Sequence, residues 1–124
     1  MMEFNQPKGI YQQIADQVRD RIAGGEWITG DRIPSVREMA VSLGVNPNTV
    51  TRSYQTLLEN EIIENRRGIG YFVAEKARER IMEEMKKKFI GDELPRMFKV
   101  MRKMGMDIKE LTALYQSFNL EAGV

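Results

Sequence analysis

Asn46, Asn48, Thr49 and Arg52 crowd into a single short stretch around Pro47. An amide pairs bidentately with adenine and a guanidinium with guanine, so side chains of these types at helical spacing suit the reading of base edges in a DNA groove. Arg37 stands before them and Arg66-Arg67-Gly68 after, cations suited to phosphate oxygens, which position a protein on duplex without reading its sequence. Catalysis is poorly provided for. The chain has no histidine and no cysteine, which removes the commonest general base, the commonest zinc ligand and all thiolate chemistry. Its acidic residues are scattered rather than paired in a motif. No catalytic residue, metal or cofactor is expected, and the chain does not read as an enzyme.

Elements must aim these groups. Ser35 and Glu38 have the spacing of a capping box, with Val36, Met39, Ala40 and Leu43 marking the buried face of a short helix that ends at Gly44. Asn46 then suits an N-cap and Pro47 the first helical position, where its missing N–H costs nothing. This second helix is predicted to run to about Asn60, with Val50, Tyr54, Leu57 and Leu58 facing inward. Asn48, Arg52, Gln55 and Glu59 then look outward, with Thr49 and Thr56 on one shoulder and Thr51 on the other. Only the N-terminal part of such a helix normally reaches bases, which keeps Glu59 distal.

Upstream, Pro7 and Gly9 keep residues 1–9 out of a helix, and Ile10, Ile14, Val18 and Ile22 form an i, i+4 stripe that ends at Gly24-Gly25. Trp27 and Ile28 give an apolar anchor, Thr29-Gly30-Asp31 a turn, and Arg32-Ile33 an extended pair ahead of Pro34. Downstream, Ile62-Ile63-Glu64-Asn65 and Tyr71-Phe72-Val73 flank Arg66 to Gly70, the pattern of a hairpin. From residue 75 the texture becomes helical and highly charged. Ala77, Ile81, Met85 and Phe89 mark one stripe, Gly91-Asp92-Glu93 a break, and Leu94, Phe98, Met101 and Met104 a second stripe. A last helix, capped by Asp107, carries Ile108, Leu111, Leu114, Tyr115 and Phe118. The expected architecture is mainly α with a small β-hairpin wing: a winged helix-turn-helix over 1–74 and a helical dimerisation region over 75–124.

Bulk charge does not announce a nucleic-acid partner. The net charge is +1, and residues 1–74 carry one more acidic than basic side chain. The local placement of Arg37, Arg52, Arg66 and Arg67 must therefore decide the matter. No apolar run approaches the roughly 20 residues that span a bilayer and no signal-peptide pattern opens the chain, so no membrane partner and a cytoplasmic location are expected. A tail of short striped helices would leave apolar surface wet, which points to a homodimer. The six methionines after residue 80 also leave open a small-molecule effector site. Each group has a blander reading: Asn46 as a cap alone, Arg37 and Arg52 as solvated helix residues, Arg66 and Arg67 as charges guarding a strand edge.

With these stretches laid out, the first 74 residues resemble the winged helix-turn-helix domain of the GntR family of bacterial regulators. The likeness rests on Ile10-Tyr11-Gln12-Gln13-Ile14, Gly30-Asp31-Arg32-Ile33-Pro34-Ser35-Val36-Arg37-Glu38-Met39-Ala40, Asn46-Pro47-Asn48-Thr49-Val50 and Arg67-Gly68-Ile69-Gly70-Tyr71-Phe72-Val73. It implies double-stranded DNA as partner, with Arg37, Asn46, Asn48, Thr49, Arg67 and Gly68 at contact positions. Pro47 and Thr51 replace arginines of better-known members, so Arg52 supplies the cation one position on; Ile69 stands where a basic residue is common. The short tail resembles the YtrA-like subfamily, which implies a dimeric repressor of a transporter operon. Two other classes of function remain at this level, a winged-helix module for protein partners and a small-molecule sensor with a Met-lined pocket.

Overall fold

The structure is a computed structural model, described here for residues 9–121. It contains α1 (Ile10–Ala23), α2 (Val36–Leu43), α3 (Pro47–Glu59), β1 (Ile63–Arg66), β2 (Gly70–Val73), α4 (Ala77–Lys88), a π-helical segment (Phe89–Glu93), α5 (Leu94–Met104) and α6 (Ile108–Glu121). None of the described helices is long and apolar enough to cross a membrane. Two compact units emerge, 1–84 and 85–124. The sequence texture placed the division at 74/75; the added residues include the start of α4, whose Ala77 and Ile81 are buried in the core of the first unit.

Local chemistry sets the helix ends. α1 closes with the Glu26 N–H on the Arg21 carbonyl and the Gly25 N–H on that of Ile22, while Gly25 takes φ +81°. Its buried face is Ile14, Ala15, Val18 and Ile22, and Ile10 is exposed, unlike the expected stripe. Steps of four residues advance about 40° around a helix, so Ile10 has rotated about 120° away from Ile22 and Ala15 lies nearer the core direction. α2 begins in the expected capping box: Ser35 Oγ accepts from the Glu38 N–H at 3.1 Å and Glu38 Oε1 from the Ser35 N–H at 2.8 Å. Gly44, at φ +67°, turns the chain towards α3.

The first unit packs α1, α2 and α3 around Val18, Ile22, Ile33, Met39, Val50, Leu57 and Ile62. β1 and β2 pair antiparallel in the register Ile63↔Val73 to Arg66↔Gly70. Arg67 and Gly68 are the central residues of a turn closed by the Ile69 N–H on the Arg66 carbonyl, and Gly68 at φ +76° supplies the left-handed position of a type II turn. The extended pair before Pro34 does more than connect. The Gly30 and Ile33 amides donate to the Val73 and Tyr71 carbonyls, the Val73 amide returns to Asp31, and Arg32 bridges to Phe72, giving the wing a rudimentary third strand.

Two polar groups sit deep in this core. Ser53 is fully buried and donates its hydroxyl to the Tyr11 carbonyl at 2.6 Å, tying α3 to α1. Tyr54 is 1% exposed, donates to the Pro34 carbonyl at 2.7 Å and meets the Tyr71 ring edge-on at 5.0 Å. Burial pushes its phenol well above the ordinary value, assisted by neighbouring Tyr71.

In the second unit the expected break at Gly91-Asp92-Glu93 is absent. These residues lie in the π-helical segment, and the backbone stays helical from Met85 to Met104. The Leu94 N–H reaches the Phe89 carbonyl, five residues back. Pro95 cannot donate and its ring would press on the Gly91 carbonyl in a regular α-helix. The wider turn, a π-bulge, gives room for the proline ring without ending the helix. Gly105 at φ +70° ends α5, and Asp107 Oδ1 caps α6 by accepting from the Glu110 N–H at 3.0 Å.

Replacing Tyr54 by phenylalanine should lower stability by about 1–2 kcal/mol in urea denaturation, because the Pro34 carbonyl loses its buried donor. The wild type gains stability from its raised phenol only while the unfolded tyrosine is also protonated. That gain is complete below pH 10 and declines as the pH climbs beyond it. The phenylalanine variant should show a shallower decline above pH 10, and identical slopes would show that the hydroxyl is solvated.

Candidate nucleic-acid interface

The eight residues that the sequence singles out are distributed over α2, α3 with its N-cap, and the wing. Arg37 is exposed in the first turn of α2. Asn46 is the N-cap of α3, its Oδ1 accepting from the Asn48 N–H at 2.8 Å. Its side-chain NH₂ is not used by this cap. Asn48 is exposed one turn before Arg52, on the face opposite Val50, Tyr54 and Leu57. Thr49 is half-buried on the shoulder of that face. Arg67 and Gly68 are exposed at the wing turn.

The side chains of Arg37 and Arg67 make no hydrogen bond, ion pair or ring contact among the described residues. Arg66 is different. It closes β1 opposite Gly70, hydrogen-bonds Glu64 Oε1 at 3.0 Å and covers the Phe72 ring at 4.1 Å. Its charge is matched within the wing. Arg52 is stacked 3.9 Å above the Tyr11 ring and makes no ion pair among the described residues.

A residue outside that set joins two of these elements. Arg32 lies between the wing turn and the head of α2, with Nε 3.5 Å from the Ile69 carbonyl and Nη1 3.6 Å from Glu38 Oε1. Gly70 makes room for it: a Cβ there would stand 3.0 Å from Arg32 Nε, and φ +139° already favours glycine. The Glu38 carboxyl is held below its ordinary value by the Ser35 amide above all, then by the Ser35 hydroxyl and the Arg32 guanidinium. Glu38 therefore stays ionised and spends its charge on the cap and on Arg32, leaving neighbouring Arg37 uncompensated. The sequence signal for Arg32 was its place in an extended pair before proline, which gave its backbone conformation but not its neighbours.

Cations without acidic partners among the described residues on α2 and on a wing turn, beside a polar-faced helix entered through a Gly44 turn, define a winged helix-turn-helix DNA-binding protein. Residues 10–73 match the family profile described as bacterial regulatory proteins, gntR family. The chain is 41% identical over 116 residues to an uncharacterised HTH-type transcriptional regulator, YhcF, of Bacillus subtilis, a match covering 94% of each chain. It is 40% identical over 74 residues to the HTH-type transcriptional repressor YtrA of the same organism, covering 60% of this chain and 57% of that one. A crystal structure of a GntR-family putative transcriptional regulator from Bacteroides thetaiotaomicron matches with a TM-score of 0.78 and 42% identity, over 92% of this chain and 99% of that one. The chain belongs to the GntR family, and it is a DNA-binding transcriptional regulator rather than an enzyme.

Removing the Arg32 side chain should loosen the wing turn more than the fold. In Arg32→Ala, hydrogen exchange at residues 66–70 should quicken several-fold, while the loss of global stability stays within about 1 kcal/mol because the ion pair is half-exposed. Unchanged exchange at the turn would show that Arg32 does not brace it.

Proposed function

We propose that the protein is a homodimeric, sequence-specific repressor that acts in the cytoplasm on an inverted-repeat operator. The observation that carries the reading is that Arg37 and Arg67, both exposed, lack acidic partners among the described residues, while Arg32 links the elements that bear them. In this reading the head of α3 enters the major groove. Asn48 reads a base, Asn46 and Thr49 lie at its edge, and Arg52 and Arg37 grip phosphates. Arg67 and the open Gly68 turn follow the flanking backbone or minor groove. Arg66 serves the wing itself through Glu64 and Phe72. Repression follows from occupying promoter DNA, and the similarity to a named repressor supports that sense.

Dimerisation is supported by the second unit. Phe89, Phe98, Met104, Ile108, Leu114, Tyr115 and Phe118 are all exposed in the single chain, an apolar surface too extensive to leave wet. Met85 and Met104 stand exposed at helical positions, which suits packing against a second copy better than an effector cavity. A two-fold dimer would set its recognition helices about 34 Å apart, in successive major grooves.

Selection of bound duplexes from a random DNA pool tests the whole reading: the expected product is two half-sites separated by about one helical turn, and recovery of no sequence preference would overturn it. On the selected duplex, Arg37→Ala and Arg67→Ala should each weaken binding and flatten the salt dependence by about 0.9 per phosphate lost, with unchanged melting. Unaltered affinity in both variants would remove this surface from consideration. Asn48→Ala should relax preference at one operator position by about 1–3 kcal/mol; an equal loss on all sequences would make Asn48 a backbone contact. Sedimentation should give a dimer at micromolar concentration, and a stable monomer would contradict the assembly.

A further inference from the structure

The head of α1 lies against the exposed face of α3 through one stacked pair. The Arg52 guanidinium carbon is 3.9 Å from the centroid of the Tyr11 ring. The next residue, Ser53, is fully buried and donates its hydroxyl to the Tyr11 carbonyl at 2.6 Å. The backbone of Tyr11 is therefore tied to α3, which keeps this half-buried residue next to Arg52. Arg52 itself is exposed, and its guanidinium makes no hydrogen bond or ion pair among the described residues. One flat face of its guanidinium is occupied by the ring, while the in-plane N–H groups remain available.

A guanidinium stacked on an aromatic face keeps the rigid fork of donors that matches a phosphate. A free arginine on a helix must give up rotamer freedom to present that fork, and a stacked one has given up much of it beforehand. Arg52 is in the second turn of α3, behind the positions that normally reach bases. A backbone phosphate is the partner that fits that depth.

We propose that Tyr11 is a positioning residue for DNA binding: its ring holds Arg52 flat, with the donor edge directed at a phosphate. The head of α1 thereby becomes part of the interface. This rests on the reading that α3 faces the duplex. The two ideas fail separately, since a wild-type protein that selects no duplex sinks the DNA surface itself, before any variant is compared.

The test uses the full chain and the duplex selected by the wild type, with binding followed by fluorescence anisotropy over a salt series. Arg52→Ala should reduce the magnitude of the salt slope by about 0.9, the signature of one lost phosphate. Tyr11→Leu should weaken binding about two- to fivefold in the presence of Arg52, the range of an exposed cation–π contact. In the Arg52→Ala background it should change nothing further. Tyr11→Phe should bind as the wild type, because the ring and not the hydroxyl does the holding. Melting curves control for folding, and Tyr11→Met, unbranched and without a π face, replaces the leucine variant if that one unfolds. An unchanged slope in Arg52→Ala would overturn the proposal. So would an equal Tyr11→Leu loss in both backgrounds, which would make Tyr11 a structural residue only.

Discussion

Tyr54 hangs from the middle of α3 with its hydroxyl on the Pro34 carbonyl and its ring edge-on to Tyr71. Pro34 leads into α2, and Tyr71 belongs to β2, so this one buried side chain touches the approach to every element that bears a candidate contact. An aromatic ring here gives large apolar burial together with a polar handle, and a buried phenol needs an acceptor to be tolerated at all. The Pro34 carbonyl is a suitable acceptor because the proline ring keeps the preceding chain extended and out of α2. The angle between α3, α2 and the wing is thus set from beneath, by packing and one hydrogen bond. Exposed ion pairs such as Arg32–Glu38 then adjust the surface. Weak contacts suffice there because the frame below them is already rigid.

The same arrangement explains how a nearly neutral chain presents positive charge. Several acidic residues of the first unit are taken up internally: Glu38 by the Ser35 cap and Arg32, Glu64 by Arg66, Glu61 by Arg80, Glu26 by Arg21. Near the wing and the head of α2, this pairing leaves Arg37 and Arg67 without acidic partners among the described residues. Net charge counts paired and unpaired groups alike, whereas the field felt by a phosphate a few ångströms away does not, given a Debye length of about 8 Å at physiological salt. The slight acidity of residues 1–74 is therefore no obstacle to DNA binding.

Local signals were the legible ones. The capping box at Ser35 and Glu38, the Asn46-Pro47 start, the Gly44 turn and the Gly68 wing turn depend on residues close in sequence, and each formed where its chemistry predicts. Relations across the chain were not legible. Ser53 reads as a polar helix residue, yet it is buried with its hydroxyl donating to the Tyr11 carbonyl, far away in sequence. Arg32 pairs with Phe72 and braces Ile69, neither visible from an extended dipeptide. Arg66 reads as a tip cation, but alternation along β1 lays it over Phe72, beside Glu64. Gly91 misled for another reason: a glycine one turn before a proline suggests a helix end, and here the extra residue of a π-turn lets the helix continue.

A domain of this kind grips duplex through few phosphates, so a single copy is expected to hold DNA weakly and to lose that hold steeply with salt. Raising the number of cations would strengthen binding to every sequence at once and erode selectivity. Doubling the domain does not have that defect. In the proposed dimer, the second recognition helix meets its half-site at the effective concentration set by the connection, which rewards only operators with both half-sites at the right spacing. The exposed apolar faces of the second unit and the modest cation count of the first are then two parts of one solution. In that proposal, weak, discriminating contacts would be made at each half-site, and affinity would come from joining them.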